Sequence, residues 1–284
     1  MKLVLISTSN IESGRVDVLE RMVSSVERAA TVLDKRVSIR ILLLLQKCPE
    51  YRYWALSKSL PPFVQAIPST DALSLSAARN LLLSYAISNG MIDSATVVGF
   101  PDDDCWYPAG VLESVAHAFA TTPELGLWFS KYSSTPVPIV HVGAATRASA
   151  RDVIREISSN TMFVRGRVLR SAPVFDESLG VGTVNGGGED TEFGLRAYLS
   201  SAQSLYVPAA VIGHRDKSPQ LRPKYYRGGL IALARHAKQQ PRIGVEFARK
   251  LAVGVWLVGT RQLPVAAFRT AVSAALKSRQ SAAA

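Results

Sequence analysis

Three clusters in this 284-residue chain have residue types and spacings suited to chemistry. The first is Asp102-Asp103-Asp104, which follows Gly99-Phe100-Pro101 at the end of an apolar run. Adjacent carboxylates repel one another unless a cation neutralises them, and hard divalent cations prefer oxygen ligands. One reading is therefore Mg2+ or Mn2+ bound together with a diphosphate; the other is a solvated acidic turn. The second cluster is Gly186-Gly187-Gly188-Glu189-Asp190, opening a segment of helical period that carries Glu192 and Arg196. Glycines let the backbone approach a ligand closely, and a carboxylate just after them can take a proton from a hydroxyl. Asp190 reads as functional, whereas Glu189 equally suits helix capping. The third is His214-Arg215-Asp216. An imidazole can complete a mixed carboxylate–histidine metal site, although a lone histidine is also an ordinary core or surface residue.

The segments that must position these residues alternate in period. Leu3 to Ile6, Val37 to Leu45, Phe63 to Ile67 and Ala95 to Phe100 read as strands, the second covered on both faces. Leu19, Met22, Val23 and Val26 mark one helix, and Ala78, Leu81, Leu82 and Tyr85 another within Ser76 to Ser88. Pro108 suits the first turn of a helix carrying Val111, Leu112, Val115 and Phe119. Further strands are expected at Leu125 to Ser130, Val137 to Val142, Thr161 to Val164 and Leu205 to Val207, with a helix at Glu189 to Ser200. This order predicts an α/β fold: a mostly parallel sheet with helices on both faces and ligands outside the carboxyl ends of the strands.

Composition excludes several classes. Hydrophobic residues make up 48% and charged residues 19%, so the chain is not disordered. Two cysteines, Cys48 and Cys105, are too few for a disulfide scaffold and suggest a reducing compartment. The longest apolar runs, such as Ile41 to Leu45, are too short to span a bilayer, and Leu3 to Ile6 is too brief for a secretory signal. The net charge of +11 is concentrated at one end. Up to His214 there are 19 basic and 20 acidic residues; from Arg215 onward there are 14 and 2. The tail also has helical apolar stripes, Ile243/Phe247/Leu251/Val255 and Phe268/Val272/Leu276, with Arg249, Lys250, Arg269, Lys277 and Arg279 beside them. Basic amphipathic helices suit an anionic membrane surface, and their apolar content argues against nucleic acid. Packing on the rest of the chain or on a second subunit is the alternative.

Taken in order, Ala78-Arg79-Asn80, Gly99 to Asp104, Phe175-Asp176-Glu177-Ser178-Leu179-Gly180, Gly188-Glu189-Asp190 with Arg196, and His214 form a specific set. It resembles the family 2 glycosyltransferases of the GT-A fold, in particular those making bacterial polysaccharides and glycolipids. Those enzymes are inverting, metal-dependent and use nucleotide-sugar donors. The resemblance covers about residues 1–216, leaving 217–284 as a helical basic appendage. It implies that Asp102 and Asp104 form the Asp-x-Asp pair, Asp102 facing the nucleotide and ribose and Asp104 the metal, with Asp102 also among the metal ligands, Asp103 beside the donor, and His214 as a further ligand of Mn2+ or Mg2+. It implies Asp190 as catalytic base. Thr8, Ser9 and Asn10 would hold the nucleotide base, with Arg79 near the donor. Gln46 stands where the family often has an acidic residue, so UDP- and dTDP-sugars both remain open. Trp106, Gly187, Gly188 and Glu189 would line the acceptor side. The implied acceptor is a saccharide or lipid-linked saccharide, and the implied location is cytoplasmic, peripheral at the inner face of the membrane. The rival enzyme class is a sugar-nucleotide nucleotidyltransferase, but Ser7 to Gly14 lacks the glycine-rich basic signature that class shows near its first strand. A non-catalytic polyanion-binding protein is the reading from another class.

Overall fold

The computed structural model describes residues 1–170, 174–216 and 218–281. Eight strands and ten α-helices alternate through it: β1 (Lys2–Asn10), α1 (Val16–Val32), β2 (Ser38–Gln46), α2 (Glu50–Ser59), β3 (Val64–Pro68), α3 (Leu75–Ser88), β4 (Val97–Gly99), α4 (Val111–Thr121), β5 (Leu125–Ser133), β6 (Thr146–Arg147), α5 (Ala150–Glu156), β7 (Met162–Arg165), α6 (Gly166–Leu169), α7 (Glu189–Leu199), β8 (Gln203–Gly213), α8 (Arg222–His236), α9 (Pro241–Gly259) and α10 (Val265–Ser281). The strands form one sheet in the order β3-β2-β1-β4-β7-β5-β8-β6. Parallel pairing joins β1 to β2 and β4, β2 to β3, and β5 to β8, while β7 runs antiparallel between β4 and β5.

The period of two in the strands divides the core. Leu3, Leu5, Ile41, Leu43 and Leu45 face α1 and α4, burying Leu19, Met22, Val26, Val111 and Val115. Val4, Ile6, Leu42 and Leu44 face the other way, onto Ala78, Leu82 and Ala86 of α3. That second layer continues without a break through Phe193 and Leu195 of α7 and Leu230 and Leu233 of α8 to Ile243 and Leu257 of α9 and Ala271 of α10. The three last helices therefore share a core with the sheet.

Several local expectations are corrected. Val137 to Val142 is not a strand: it contributes one bond, from Val137 N–H to Ala210 O at 2.8 Å, then turns as a 3-10 helix at Ile139–His141. Pro136 and Pro138 lack the N–H groups a ladder needs. Pro108 does not open its helix, which starts at Val111 after Gly110 at φ 83°. In the tail stripes, Phe247 is buried, and Leu251, Phe268 and Val272 pack half-buried against the core. Only Val255 and Leu276 of those stripes are well exposed. Helices α2, α5, α6 and α8 have no counterpart in the sequence reading; α2 buries no residue fully, so it has no apolar period to show.

Candidate active site

The carboxyl ends of β1, β2, β4 and β8 lie on one edge of the sheet, carrying Thr8 to Asn10, Gln46, the Asp102–Asp104 turn and His214. Because β7 runs antiparallel, its amino end meets this edge as well and brings Ser158 and Ser159 there. The acidic turn is anchored by Phe100, fully buried and edge-on to Phe175 and Phe193, with centroids 5.1 and 5.4 Å away. Phe175 and Phe193 stack on each other at 4.2 Å, tying the end of β4 to α7. Asn80 fixes the Phe175 segment by accepting from its N–H at 2.7 Å and donating to its carbonyl at 2.9 Å.

Asp102, Asp104 and His214 offer ligand atoms that all lie within 4.8 Å of one another. His214 Nδ1 sits 2.9 Å from the Arg215 carbonyl, which fixes the proton there and leaves Nε2 as a lone pair. That Nε2 is buried without a hydrogen-bond partner and faces Asp104 Oδ1 at 3.0 Å and Asp102 Oδ2 at 3.5 Å. Lone pairs opposed at these distances need a proton or a cation between them. The donor set, two carboxylates and an imidazole, fits a divalent ion of the manganese or magnesium kind. Burial opposes charge on His214, but Asp104 and Asp102 outweigh it and raise the imidazole's pKa. Burial also opposes charge on Asp104, yet His214, Arg215 and Arg15 hold its carboxyl at about 2. Asp102 is raised by burial against the pull of Arg79 and His214.

Arg79 links Asp102 to Asp190. It is 1% exposed, donates to Asp102 Oδ1 at 2.9 Å and Ser159 Oγ at 2.7 Å, and reaches Asp190 Oδ1 at 3.3 Å. Asp190 Oδ2 also accepts from Ser158 and Ser159, at 3.3 and 3.2 Å. Asp190 stays partly open to solvent, whereas Glu189 is buried with its side chain beneath Gly180. Burial, then the charge of Asp190, raise the Glu189 carboxyl from 4.5 to about 8. Burial and the Asp190 charge thus both favour the protonated form of Glu189 and make it a poorer base than its neighbour.

The Glu189 shift has a consequence for stability. Below pH 4.5 both native and unfolded chains hold the proton and nothing is lost. Between 4.5 and about 8 only the native chain keeps it, so stability falls as pH rises, and the loss is complete above about 8. Glu189→Gln should therefore raise the melting temperature at pH 8, by a stability gain on the order of a few kcal/mol, and leave it unchanged at pH 4. Thermal melts of the two proteins at both pH values check this.

The remaining expected residues fall into two groups. Thr8 Oγ1 accepts from Gln46 Nε2 at 2.7 Å, and Gln46 Oε1 accepts from Leu73 N–H at 2.6 Å, so Gln46 orders β1 and the segment before α3. Ser9 donates to Asp103 at 2.7 Å, and Asn10 caps the turn after β1 through Glu12 N–H at 3.1 Å. Trp106 pairs with Gly213 as an isolated antiparallel bridge, its indole covering the position a Cβ would take. Gly187 and Gly188 pack against α8: a Cβ on Gly188 would stand 2.4 Å from the Gly228 backbone. Sequence reasoning missed Arg15, Arg21, Ser158 and Ser159, and gave Arg215, named beside His214, no role of its own. Arg15 follows Gly14 just beyond the carboxyl end of β1, the one signal that could have marked it. Arg21 lies over the Trp106 ring at 4.2 Å and donates to the Asp104 carbonyl at 2.9 Å, holding the turn in shape.

This sheet and its ligand edge define the GT-A fold of glycosyltransferases. Similar solved structures include S. aureus TarS residues 1–349 in complex with UDP, at 16% identity and TM-score 0.59, covering 82% of this chain and 65% of that one. A longer S. aureus TarS structure matches at 15% identity and TM-score 0.63, covering 88% and 43%. GalNAc-T7 with UDP, GalNAc and Mn2+ matches at 12% identity and TM-score 0.57, covering 82% and 47%. The chain thus spans less than two thirds of the length of each. No protein-family model and no curated protein matches the sequence.

Proposed function

We propose that the chain is a metal-dependent, inverting glycosyltransferase of the family 2 kind, taking a UDP- or dTDP-sugar donor to an acceptor hydroxyl. The observation that carries this reading is the Asp102–Asp104–His214 cluster at the ligand edge, joined through buried Arg79 to the partly open Asp190. Asp102, Asp104 and His214 would hold the divalent cation, which would supply Lewis-acid stabilisation to the leaving diphosphate. Asp190 takes the proton from the acceptor hydroxyl as that oxygen attacks the anomeric carbon from the face opposite the diphosphate. Arg79 holds Asp190 toward that proton and keeps Asp102 on the donor side. Thr8, Ser9 and Asn10, ordered by Gln46, hold the nucleotide base. Asp103, tied to Ser9, fixes the turn beside it. Trp106 and the Gly187–Glu189 segment border the acceptor side. Asp104→Ala should abolish metal-dependent donor binding in calorimetry; unchanged binding of donor and metal would sink the metal assignment.

We also propose that residues 217–284, packed on the catalytic region formed by residues 1–216, dock the enzyme on the inner, anionic face of a cell membrane. This suits a lipid-linked saccharide acceptor in cell-surface polysaccharide synthesis. The supporting observation is the outward face of α9, where Val245, Ala248, Ala252, Val255 and Trp256 are exposed beside Arg242 and Arg249. Glu246, the sole acid after Asp216, is buried and paired with Arg155 at 2.9 Å and Arg249 at 2.5 Å. An apolar stripe rimmed by cations, with that acid turned inward, matches a negative headgroup layer. No helix among the described residues is long and apolar enough to cross a membrane. Flotation with anionic liposomes should carry the full chain at low salt and less at high salt. It should fail for a Val255→Asp/Trp256→Asp double variant; equal flotation of the two would refute this docking face.

A further inference from the structure

Asp104 already has cations on it. Its Oδ1 faces His214, while Oδ2 takes Arg15 Nη2 at 2.6 Å and pairs with Arg215 Nη1 as well. Arg15 also reaches Asp103 Oδ1 at 3.3 Å. The two guanidinium groups differ from the others at the site. Arg79 is 1% exposed and wedged between Asp102 and Asp190. Arg21 is held by Trp106 and a main-chain carbonyl. Arg15 and Arg215, by contrast, have side chains 37% and 64% exposed, and their described ion pairs are with this acidic turn. They can leave it without opening the core.

A divalent ion entering beside Asp104 must work against both of these positive groups, since like charges a few ångströms apart repel strongly where solvent is partly excluded. A diphosphate changes the balance. Its oxygens suit the planar guanidinium fork better than a single carboxylate oxygen shared by two arginines.

Resting on the glycosyltransferase reading above, we propose that Arg15 and Arg215 are resident counter-cations of the site. They exchange Asp104 for the donor's diphosphate, so that the divalent cation and the nucleotide bind as a pair. Without nucleotide the arginines guard Asp104 and cation affinity is low. With nucleotide they move onto phosphate oxygens, Asp104 is freed, and the cation is held. Linkage makes the effect reciprocal: the factor by which UDP raises Mn2+ affinity equals the factor by which Mn2+ raises UDP affinity.

The test measures Mn2+ binding to the full chain by the electron-paramagnetic-resonance signal of free Mn2+, with and without UDP, in the parent, Arg15→Gln and Arg215→Gln. Glutamine removes the charge and keeps a polar side chain, and the exposure of Arg215 makes its variant the safer for folding. In the parent, UDP should raise Mn2+ affinity by about 5- to 150-fold, the usual range of such couplings. In each variant Mn2+ alone should bind several-fold more tightly than in the parent, UDP alone should bind more weakly, and the coupling factor should shrink. If the parent shows coupling and both variants leave Mn2+ affinity without UDP unchanged or lower, the exchange is wrong while the metal reading stands. If the parent binds no Mn2+ even with UDP, both fall together.

Discussion

Asp190→Asn should bind donor as the parent does and lose sugar transfer by about 10²–10⁴-fold, the usual contribution of a positioned general base. The asparagine keeps the shape, so Arg79 and the Ser158 and Ser159 hydroxyls retain a neighbour for their hydrogen bonds. What is removed is the ability to accept a proton. The neighbouring carboxyl is a poorer base, because Glu189 is buried, and burial and the Asp190 charge both favour its protonated form. Measuring donor affinity and turnover in the same preparation separates the two effects. Near-normal turnover would assign the base elsewhere.

Gly228→Ala should be among the most damaging conservative changes in the chain, though it lies in α8, well beyond the sequence motifs. A methyl there would stand 1.7 Å from the Gly187 carbonyl oxygen and 2.9 Å from that of Asn185. Both obstacles are backbone, so no side chain can swing aside. Overpacking of this kind costs about 3 kcal/mol, the upper end for buried insertions. The relief available is to push the Gly186–Gly188 segment away, and that segment leads directly into Asp190. A shift of about 1 Å in a catalytic group can cost on the order of 10²-fold in rate. Gly259→Ala is the control: its added methyl meets nothing within 4 Å, and the change should be neutral or slightly stabilising. Chemical denaturation and activity of both variants check this; equal stability of Gly228→Ala and the parent would contradict the close approach of α8.

That contact also shows how far the sequence could be read. The apolar runs of β1 and β2 and the helical spacing of α1, α3 and α4 were legible because burial imposes a period on local sequence. The acidic turn, Asp190 and His214 were legible because their residue types are chemically unusual where they stand, after strands or before a helix. Helix α8 was not legible. It pairs Gly228 with Gly188 and buries Tyr226 and His236 among apolar residues, so no simple stripe marks it. Its approach also gives the triple glycine a second duty, since Gly187 and Gly188 must be bare for α8 to dock. Arg79 appeared in a motif, but its place between Asp102 and Asp190 depends on residues 23 and 111 positions away. Arg15 and Arg215 meet at Asp104 although 200 positions separate them in the sequence. Such meetings are made by topology and leave no local pattern. The tail was legible in charge but not in orientation: Phe247 and Phe268, placed in stripes that suited either a membrane surface or packing on the chain, are drawn toward the core, and the open apolar face of α9 lies around Val245, Val255 and Trp256.

If the Asp102–Asp104–His214 edge turns over a nucleotide sugar with a divalent cation, the chain must release nucleoside diphosphate in a metal-dependent way. The most direct measurement is release of nucleoside diphosphate from a panel of UDP- and dTDP-sugars, with Mn2+, with Mg2+ and with chelator, using the full chain and Asp104→Ala. The expected result is slow release from at least one donor by the parent, dependent on Mn2+ or Mg2+, abolished by chelator and absent in Asp104→Ala. Release that persists in chelator or in Asp104→Ala would contradict the account, as would a parent that neither binds nor cleaves any donor in the panel.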